Sequence, residues 1–415
     1  MKILFIHQNF PGQYRHLIKY FSMQPDCEVV GIGSGVNIPV SQGIPNVRIH
    51  NYDPIVPPHH KTHHYIRGFE AHVRRGQSVA RKALEIKKNG FEPDIVCVHP
   101  GWGEGLYIKD IFQNSKIISF CEFYYSAYNS DLDFENPQNI SIDKKLSIRT
   151  RNATLLISIM ASDLCMSPTY WQKSLYPKEI QNKISVIHDG IDTNTIRPIE
   201  NFEYYLESQK LLLKQSDEIV TFVSRNLEPY RGFHVFAKAL PLIQNLRPNA
   251  HILIVGENGV SYGAQPSKGT TYRELFMQPV LDQLDMSKIH FLGRVSRESL
   301  TKLFQLSGVH VYLTYPFVLS WSMLEAMSAG CLVVGSNTPP VEEVIEHGEN
   351  GLLVDFFSPE EIAQSVNKVF SHPDRMQRIK NNARQTIVEK YDLHSVCLPQ
   401  QVQLIQRVYH GETFR

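Results

Sequence analysis

The sequence predicts an α/β protein with two doubly wound, Rossmann-like domains. Two observations carry this prediction: β-branched runs alternate with helical patterns along the chain, and the alternation pauses once, in a polar segment near residues 195–215. A length of 415 residues also suits two domains better than one core. We place the first domain at 1–195, the second at 196–395 and a C-terminal segment at 396–415.

Short apolar and β-branched runs predict the strands. In the first domain they are KILFIH (2–7), CEVVGIG (27–33), DIVCVHP (94–100), KIISFCEF (116–123) and KISVIHDG (183–190). In the second they are IVTFVSR (219–225), HILIVGE (251–257), IHFLGR (289–294), VHVYLT (309–314) and CLVVGS (331–336). Helical patterns separate them, for example at 12–22, 66–88 and 104–113. Because ligands of such sheets bind beyond the carboxyl ends of the strands, we expect functional residues there, in a cleft between the domains.

Composition excludes several classes of protein. The 42 Lys and Arg nearly cancel the 41 Asp and Glu, which argues against a nucleic-acid partner. The six cysteines form no C-x-x-C pair and suit a reducing cytoplasm. The opening MKILFIHQNFPG is typical of a strand and not of a signal peptide. The most apolar stretch, 303–341, contains Pro316 and Glu325, so we predict a cytoplasmic protein without a membrane span.

Two arginines follow the first strand of the second domain, in VSRNLEPYRGF. Arg225 ends that strand, and Arg231 begins the next helix six residues later. One guanidinium binds two phosphate oxygens at once, so this pair suits a diphosphate. A salt bridge to Glu228 is the alternative explanation.

Turns at other strand ends contain further candidates. Gly12 lies between the first strand and the first helix, whose N-terminus suits an anion. Gly256 and Arg294 lie in turns after two strands of the second domain, where exposed backbone groups could contact a flat base. A purely structural turn is the alternative at each position.

Polar side chains also follow two strands of the first domain and begin a helix of the second. His99 and Glu122 end predicted strands and would face the cleft. Glu325 lies near the start of a helix that Ser320 or Ser322 could cap, where a carboxylate is favoured and can accept hydrogen bonds from a ribose diol. A capping box with Ser322 would explain the same carboxylate without a ligand.

A basic ridge runs along residues 67–88. Four of its cations recur every seven residues and two more run beside them: Arg67, Arg74, Arg81, Lys88, Arg75 and Lys82. The ridge predicts either a solvated surface or contact with an anionic acceptor or an anionic membrane at the inner face. Histidines at 59, 60, 63 and 64 could bind a metal, but their loop setting favours incidental clustering, and we predict no metal site.

Together these motifs resemble the family-4 retaining glycosyltransferases of the GT-B fold, or group 1. The resemblance covers most of the chain and rests on VIHDGID (186–192), SRNLEPYRGF (224–233), HFLGRV (290–295), LEAMSAGCLVVGS (324–336) and EEVIEHGENGLLV (342–354). It implies a nucleoside diphosphate sugar held mainly by the second domain and a hydroxyl acceptor held mainly by the first. It also implies that the segment 396–415 packs back on the first domain.

The resemblance implies roles for single residues. Arg225 and Arg231 match a basic pair on the donor diphosphate, and Glu325 matches a carboxylate on the nucleotide ribose. Gly12 resembles a glycine loop near the phosphates, and His99 resembles a histidine near the sugar. The assigned roles are these: catalytic, His99, Arg225 and Arg231; donor-binding, Gly12, Gly256, Arg294, Ser320 and Glu325; acceptor-side, Glu122, Arg74 and Arg81. No cofactor is implied.

One position departs from the family pattern. The family has another Glu eight residues before the position of Glu325, where this chain has Phe317. That Glu normally contacts hydroxyls of the donor sugar. Ser320 or the backbone N–H groups of 318–320 could replace it, and the lost polarity suggests a sugar with fewer hydroxyls, such as a deoxysugar.

The predicted function is metal-independent transfer of a sugar, with retention, in polysaccharide or glycoconjugate synthesis. A nucleotide-sugar epimerase or hydrolase of the same fold is one alternative. A degenerate subunit that binds a sugar nucleotide without turnover is the other. The nucleotide base, the sugar and the acceptor are left open.

Overall fold

The structure is a computed structural model, and it describes residues 1–35 and 46–412. The chain divides into two compact units, residues 1–189 with 394–415, and residues 190–393. The chain therefore leaves the first unit once and returns to it at its end. Within the described residues, each unit is built on one parallel sheet.

The first unit contains a seven-stranded parallel sheet in its described part. The strands are β1 (Lys2–Ile6), β2 (Glu28–Ser34), β3 (Val47–Tyr52), β4 (Ile95–Val98), β5 (Lys116–Phe120), β6 (Leu164–Ser167) and β7 (Ile184–Val186). The helices before residue 190 are α1 (Arg15–Ser22), α2 (Arg67–Lys88), α3 (Ile108–Ile111), α4 (Ile142–Arg151), α5 (Ala153–Met160), α6 (Tyr170–Ser174) and α7 (Lys178–Gln181). The strand order is β3-β2-β1-β4-β5-β6-β7, so the order reverses between β1 and β4.

The second unit contains a six-stranded parallel sheet and a two-stranded antiparallel hairpin. The strands are β8 (Glu203–Leu206), β9 (Leu211–Lys214), β10 (Ile219–Asn226), β11 (His251–Glu257), β12 (Ile289–Gly293), β13 (Val309–Tyr312), β14 (Leu332–Ser336) and β15 (Leu352–Val354). The helices are α8 (Phe233–Leu246), α9 (Tyr272–Met277), α10 (Arg297–Leu306), α11 (Trp321–Ser328), α12 (Pro339–Glu342), α13 (Pro359–Ser371) and α14 (Pro373–Lys390). The order is β12-β11-β10-β13-β14-β15, with the reversal between β10 and β13.

The central strands owe their character to burial on both faces. All four residues of β4 and all four of β13 are buried. A strand covered by helices on both sides needs apolar or internally bonded residues at every position, which is why these runs are almost continuously apolar. Helix α2 instead buries one stripe, Val79, Ala83 and Ile86, as an amphipathic helix does.

The chain ends in α15 (Leu398–Tyr409), which belongs to the first unit. Val402, Ile405 and Val408 are buried in one hydrophobic cluster with Leu17 and Phe21 of α1. The last three residues of the predicted segment, 413–415, lie outside the described residues.

The predicted α/β fold class of two doubly wound parallel sheets is confirmed. Every predicted run contains a strand, but the pattern missed five others: β3, β6, β8, β9 and β15. The polar segment near 195–215 contains the hairpin β8–β9, and the predicted helix at 104–113 is reduced to α3.

One glycine of the second unit should be particularly intolerant of substitution. Gly232 precedes α8 at φ +68, and a Cβ there would lie 2.3 Å from Cβ of Leu313. We expect Gly232→Ala to lower the free energy of unfolding, measured by urea denaturation, by about 2–4 kcal/mol. An alanine there would be strained by the left-handed backbone conformation, and its Cβ would also clash with Cβ of Leu313, which cannot move without its backbone. Gly269 is the matched control: it has φ +91 and nothing within 4 Å of its would-be Cβ. Equal losses at both positions would contradict the role of the clash.

Candidate functional site

The strand order marks one place in each unit where a ligand is favoured. In open α/β sheets the crevice lies beyond the carboxyl ends of the strands, where the order reverses. In the first unit, His7 follows β1 and His99 follows β4. In the second unit, Arg225 lies at the end of β10 and Thr314 follows β13. Predicted site residues therefore lie at both reversal points.

Arg231 lies at the reversal point of the second unit and is held from three sides. The residue is 7% exposed. Its Nη1 donates to Oγ1 of Thr314 at 2.8 Å and to Oη of Tyr312 at 3.3 Å. Its Nη2 donates to the carbonyl oxygen of Val318 at 2.9 Å. Because a guanidinium has five N–H groups, this fixed side chain keeps donors for an anion.

Arg225 is exposed and has no hydrogen bond or ion pair to any described residue. The alternative explanation, a salt bridge to Glu228, is wrong. The fully buried Glu228 carboxylate accepts backbone N–H groups of Ser261, Tyr262 and Gly263 at 3.0–3.1 Å. Glu228 therefore fixes the loop after β11 and leaves the arginine charges uncompensated.

The contacts of Glu325 differ from those of a capping box. Helix α11 begins at Trp321 with Ser320 as its N-cap, whose Oγ accepts the N–H of Ser322 at 3.3 Å. Ser320, one of the two predicted caps, is therefore confirmed, Glu325 lies in the second turn of the helix, and the capping box with Ser322 is wrong. Its buried carboxylate instead accepts a hydrogen bond from Nη2 of Arg297 at 2.8 Å. The structure thus adds Arg297, which the sequence reasoning missed.

Phe317 belongs to an aromatic cluster that also contains Tyr230, Tyr262 and Tyr315. Ring centroids are 4.8 Å apart for Tyr230 and Tyr315, 5.4 Å for Tyr230 and Phe317, and 4.9 Å for Tyr262 and Phe317. The guanidinium carbon of Arg231 lies 5.5 Å from the Tyr262 ring and 6.0 Å from the Phe317 ring. One wall beside Arg231 is therefore apolar and able to stabilise its charge.

The remaining second-unit candidates lie on neighbouring strands. Gly256, in β11, has a packing explanation: a Cβ there would lie 2.8 Å from Cδ2 of Leu227 and 3.1 Å from the carbonyl oxygen of Ser224. Arg294 is exposed just after β12 and has no ion pair among the described residues. No described contact assigns a ligand to either residue, and both stay predictions.

In the first unit, the structure brings His99 and Glu122 together. His99 is 2% exposed, and its Nδ1 accepts the N–H of Gly101 at 3.2 Å. Its Nε2 lies 3.4 Å from Oε2 of Glu122, without the geometry of a hydrogen bond. Glu122 Oε1 accepts from Nε2 of Gln13 at 3.1 Å. The His99 ring stacks on Trp102, with centroids 4.4 Å apart.

His7 is the residue of this cluster that the sequence reasoning missed. It is 3% exposed, and its ring centroid lies 5.2 Å from that of His99. Burial, helped by the nearby His99, lowers the pKa of His7 to about 3. Gly12 has φ +52, and a Cβ there would lie 2.5 Å from the His7 ring, so the Gly12 loop covers this ring. The strand-end rule that selected His99 would also have selected His7.

The predicted acceptor-side arginines are not the ones that reach this cluster. Arg74 pairs with Glu70, and Arg81 is exposed without a described partner. Arg75 instead donates from Nη1 to the carbonyl oxygen of Trp102 at 2.6 Å, and its Nε lies 3.8 Å from Oε1 of Glu104. Burial raises the pKa of the Glu104 carboxyl. Arg75 therefore fixes the turn after β4, while membrane contact along 67–88 stays a prediction.

The described residues contain no group of three His, Cys, Asp or Glu side chains placed to hold a metal ion. Helices long and apolar enough to cross a membrane are likewise absent from residues 1–35 and 46–412.

Comparison with known proteins gives matches over both units. A family model described as glycosyl transferase family 4 group matches residues 26–196, and one described as glycosyl transferases group 1 matches residues 206–386. MJ1607, an uncharacterized glycosyltransferase of Methanocaldococcus jannaschii, is 29% identical over 219 residues, 52% of each chain. Spore coat protein SA of Bacillus subtilis is 24% identical over 72% of this chain and 74% of its own. This chain thus spans about half the length of the first of these relatives.

Two solved structures share the fold over nearly the whole chain. Sucrose-phosphate synthase from Thermosynechococcus elongatus has a TM-score of 0.74 at 14% identity, over 99% of this chain and 100% of its own. Anabaena Alr3699/HepE in complex with UDP-glucose has a TM-score of 0.67 at 17% identity, over 97% and 99%. At these identities the likeness establishes the fold, while the two family models together account for both units. Residues 26–196 thus belong to the glycosyl transferase family 4 group and residues 206–386 to the glycosyl transferases group 1, in a chain with the GT-B fold.

Proposed function

We propose that this chain transfers a sugar from a nucleoside diphosphate sugar to a hydroxyl acceptor, with retention and without a metal. The proposal rests mainly on Arg231, which is buried, donates three hydrogen bonds and lies where the strand order of the second sheet reverses. Arg225, six residues earlier, has no described ion pair. Relatives named glycosyltransferases and the HepE complexes with UDP and UDP-glucose support the proposal.

In this reaction the bond from the anomeric carbon to the diphosphate breaks. A bond to the acceptor oxygen forms, and the proton of the acceptor hydroxyl passes to the leaving diphosphate. Negative charge grows on the leaving diphosphate, so side chains fixed before the reaction lower the barrier most. Arg231 is held in place by neutral partners and keeps its full charge for this task. His99 would position a sugar, and Glu325, held by Arg297, would accept hydrogen bonds from the ribose.

Phe317 bears on the choice of donor. An apolar wall of Phe317, Tyr230 and Tyr262 beside Arg231 supports the hypothesis of a sugar with a poorly hydroxylated edge, such as a deoxysugar. D-rhamnosyltransferase WbpZ of Pseudomonas aeruginosa, 26% identical over 52% of this chain, is consistent with it.

A thermal-shift screen with UDP, GDP, ADP, TDP and their sugars tests the proposal. We expect one nucleotide to stabilise the protein by about 2.7 kcal/mol at 100 times its dissociation constant. We expect its deoxysugar to be transferred best to an added hydroxyl acceptor, with unchanged rates in EDTA. Release of nucleotide in the absence of an acceptor would favour the hydrolase or epimerase. Binding of a nucleotide sugar without turnover would favour the degenerate subunit. No shift with any nucleotide would contradict donor binding.

A further inference from the structure

We infer that His7 is a second sugar-binding side chain of the first unit, which together with His99 presents two N–H donors to the hydroxyl oxygens of a bound sugar. This inference rests on the proposed function and adds a residue and a ligand chemistry to it. It depends on the hydrogen bonds of the two rings, their burial and the side chains around them.

The backbone fixes which nitrogen of each ring carries the proton. The N–H of Asn9 donates to Nδ1 of His7 at 2.9 Å, and the N–H of Gly101 donates to Nδ1 of His99 at 3.2 Å. A backbone N–H can only donate, so both Nδ1 atoms must be unprotonated acceptors. In the neutral rings the proton therefore lies on Nε2. Each strand end thus presents an N–H donor from a ring that its own loop holds in place.

Neither donor meets an aligned acceptor within the described part of the chain, although the Gln13 side chain lies near His7 and Oε2 of Glu122 lies 3.4 Å from Nε2 of His99. The Nε2 atoms of His7 and His99 are both buried and both lack a hydrogen-bond partner. Leaving a buried donor unsatisfied costs about 1–3 kcal/mol, and such groups are rare in folded proteins. Two of them, on rings 5.2 Å apart at the reversal point of one sheet, are best explained by an acceptor that arrives with a ligand.

The surroundings favour an uncharged oxygen over an anion. Burial keeps His7 neutral, since its pKa is lowered to about 3. The carboxylate of Glu122, 3.4 Å from Nε2 of His99, would repel a phosphate but can accept a hydrogen bond from a sugar hydroxyl. The Trp102 ring, stacked on His99, offers an apolar face of the kind that packs against the C–H face of a sugar.

A partly exposed rim lies around the two buried rings. Gly12, Gln13, Trp102 and Glu122 are each intermediate in exposure. Nε2 of Gln13 donates to Oε1 of Glu122 at 3.1 Å, so one bond between two side chains spans this rim. A sugar hydroxyl can replace that bond. The absence of a side chain at Gly12 then has a second use, because it lets the loop lie directly over His7.

Imidazole NMR on the full chain labelled with ¹⁵N-histidine tests the inference. His7 is assigned with a His7→Gln variant. The probes are methyl α-D-glucopyranoside, methyl α-L-rhamnopyranoside, the nucleotide sugar that stabilises the protein most, and its nucleoside diphosphate alone. We expect His7 to be neutral with protonated Nε2 at pH 7, and the Hε2 signals of both rings to move with a sugar-containing probe but not with the nucleoside diphosphate. A response to the nucleotide sugar alone identifies the donor sugar as the source of the hydroxyl, and a response to a glycoside identifies the acceptor.

The outcomes separate this inference from the proposed function. If the nucleotide sugar is turned over while the His7 signals stay fixed, the inference is overturned and the function stands. If no nucleotide sugar binds but a glycoside moves both rings, the function fails and the inference stands. If no probe moves His7, the inference is overturned regardless of activity.

Two conservative variants distinguish a binding role from a structural one. Glutamine places an N–H near the position of Nε2, whereas asparagine places it near that of Nδ1. We expect His7→Gln to keep kcat/KM within about 10-fold of wild type and His7→Asn to lose about 100-fold, as for removal of one oriented donor. Binding of the nucleoside diphosphate should be the same in both variants. Equal losses of activity and of melting temperature in both would assign His7 a structural role and overturn the inference.

Discussion

Replacing Arg231 with alanine should reduce turnover by about 100-fold or more, by analogy with the loss of one oriented oxyanion donor. Arg231 is fixed by Thr314, Tyr312 and Val318 before any substrate binds, so its charge needs no reorganisation when the diphosphate leaves. Arg231→Lys should recover only part of the loss, because an ammonium cannot bind two phosphate oxygens in a planar fork. Steady-state kinetics with the donor found in the thermal-shift screen measure both.

Stability separates the two arginines. Arg231→Ala removes the donor to the buried Thr314 hydroxyl and to the Val318 carbonyl oxygen, while Tyr312 keeps the N–H of Ser320 at 2.8 Å, and we expect it to lower the free energy of unfolding by about 1–3 kcal/mol. Arg225→Ala removes an exposed side chain without described contacts, so it should lower turnover without changing the melting temperature. Arg375, exposed in the first turn of α14, is the control. Unchanged turnover in Arg231→Ala, or an equal decrease in Arg375→Ala, would refute the phosphate clamp.

The sequence predicted the strands in which burial requires an apolar residue at nearly every position. β10 and β11, of eight and seven residues, and β13, of four, are buried at most positions, and the runs IVTFV, ILIVG and VHVYL that reveal them are mostly apolar because helices cover both faces of the sheet. β6, LCMS, contains no β-branched residue, and β15, LLV, contains only one, so neither shows the β-branched run that predicted the other strands. β3, VRIHNY, is an edge strand of which only Tyr52 is buried, so its polar residues conceal it.

Sequence analysis located those site residues whose position follows from the local sequence pattern. Arg225 and Arg231 lie at and just after the end of a predicted strand, and this position alone placed them at the ligand-binding end of the sheet. The bond between Glu325 and Arg297 joins residues 28 apart on different helices, and no local pattern contains it. Arg75 was grouped with a surface ridge because helical periodicity gives the side of a helix but not what packs against it. His7 alone could have been found, since it follows a predicted strand.

Mild acidification should destabilise the first unit more than the second. Burial lowers the pKa of His7 to about 3, of His72 to about 4 and of His188 to about 4, and all three lie in the first unit. In the second unit, burial lowers the pKa of His310 to about 3. Burial also lowers the pKa of the partly buried His50 in the first unit and of the partly buried His251 and His290 in the second, so the expected difference rests on three deeply buried rings against one. A histidine with a folded pKa below its ordinary 6.5 is protonated first in the unfolded state. Its contribution to stability is complete above pH 6.5 and is lost as the pH falls.

The size of the effect follows from the same linkage. At pH 5.5, each such histidine lowers the free energy of unfolding by about 1.4 kcal/mol, so the three in the first unit give about 4 kcal/mol. That is a large part of the 5–15 kcal/mol that usually holds a domain folded. Glu104 opposes the effect, because its raised pKa means that protonation on acidification favours the folded state. Carboxylates with lowered pKa, such as Glu85 and Glu298, lose their contribution only at lower pH.

Hydrogen exchange followed by mass spectrometry at pH 7 and pH 5.5, corrected for intrinsic rates, resolves the units separately. We expect peptides of β1, β4 and β5 to lose more protection than those of β10, β13 and β14. His188→Gln should reduce the loss in the first unit by about a third, because it removes one of three buried titrating rings. The exposed His59→Gln is the control and should leave the loss unchanged. The comparison uses the change in protection between the two pH values and not the absolute stability, so any packing defect of His188→Gln cancels. Equal losses of protection in the two units would show that these buried rings do not govern acid stability.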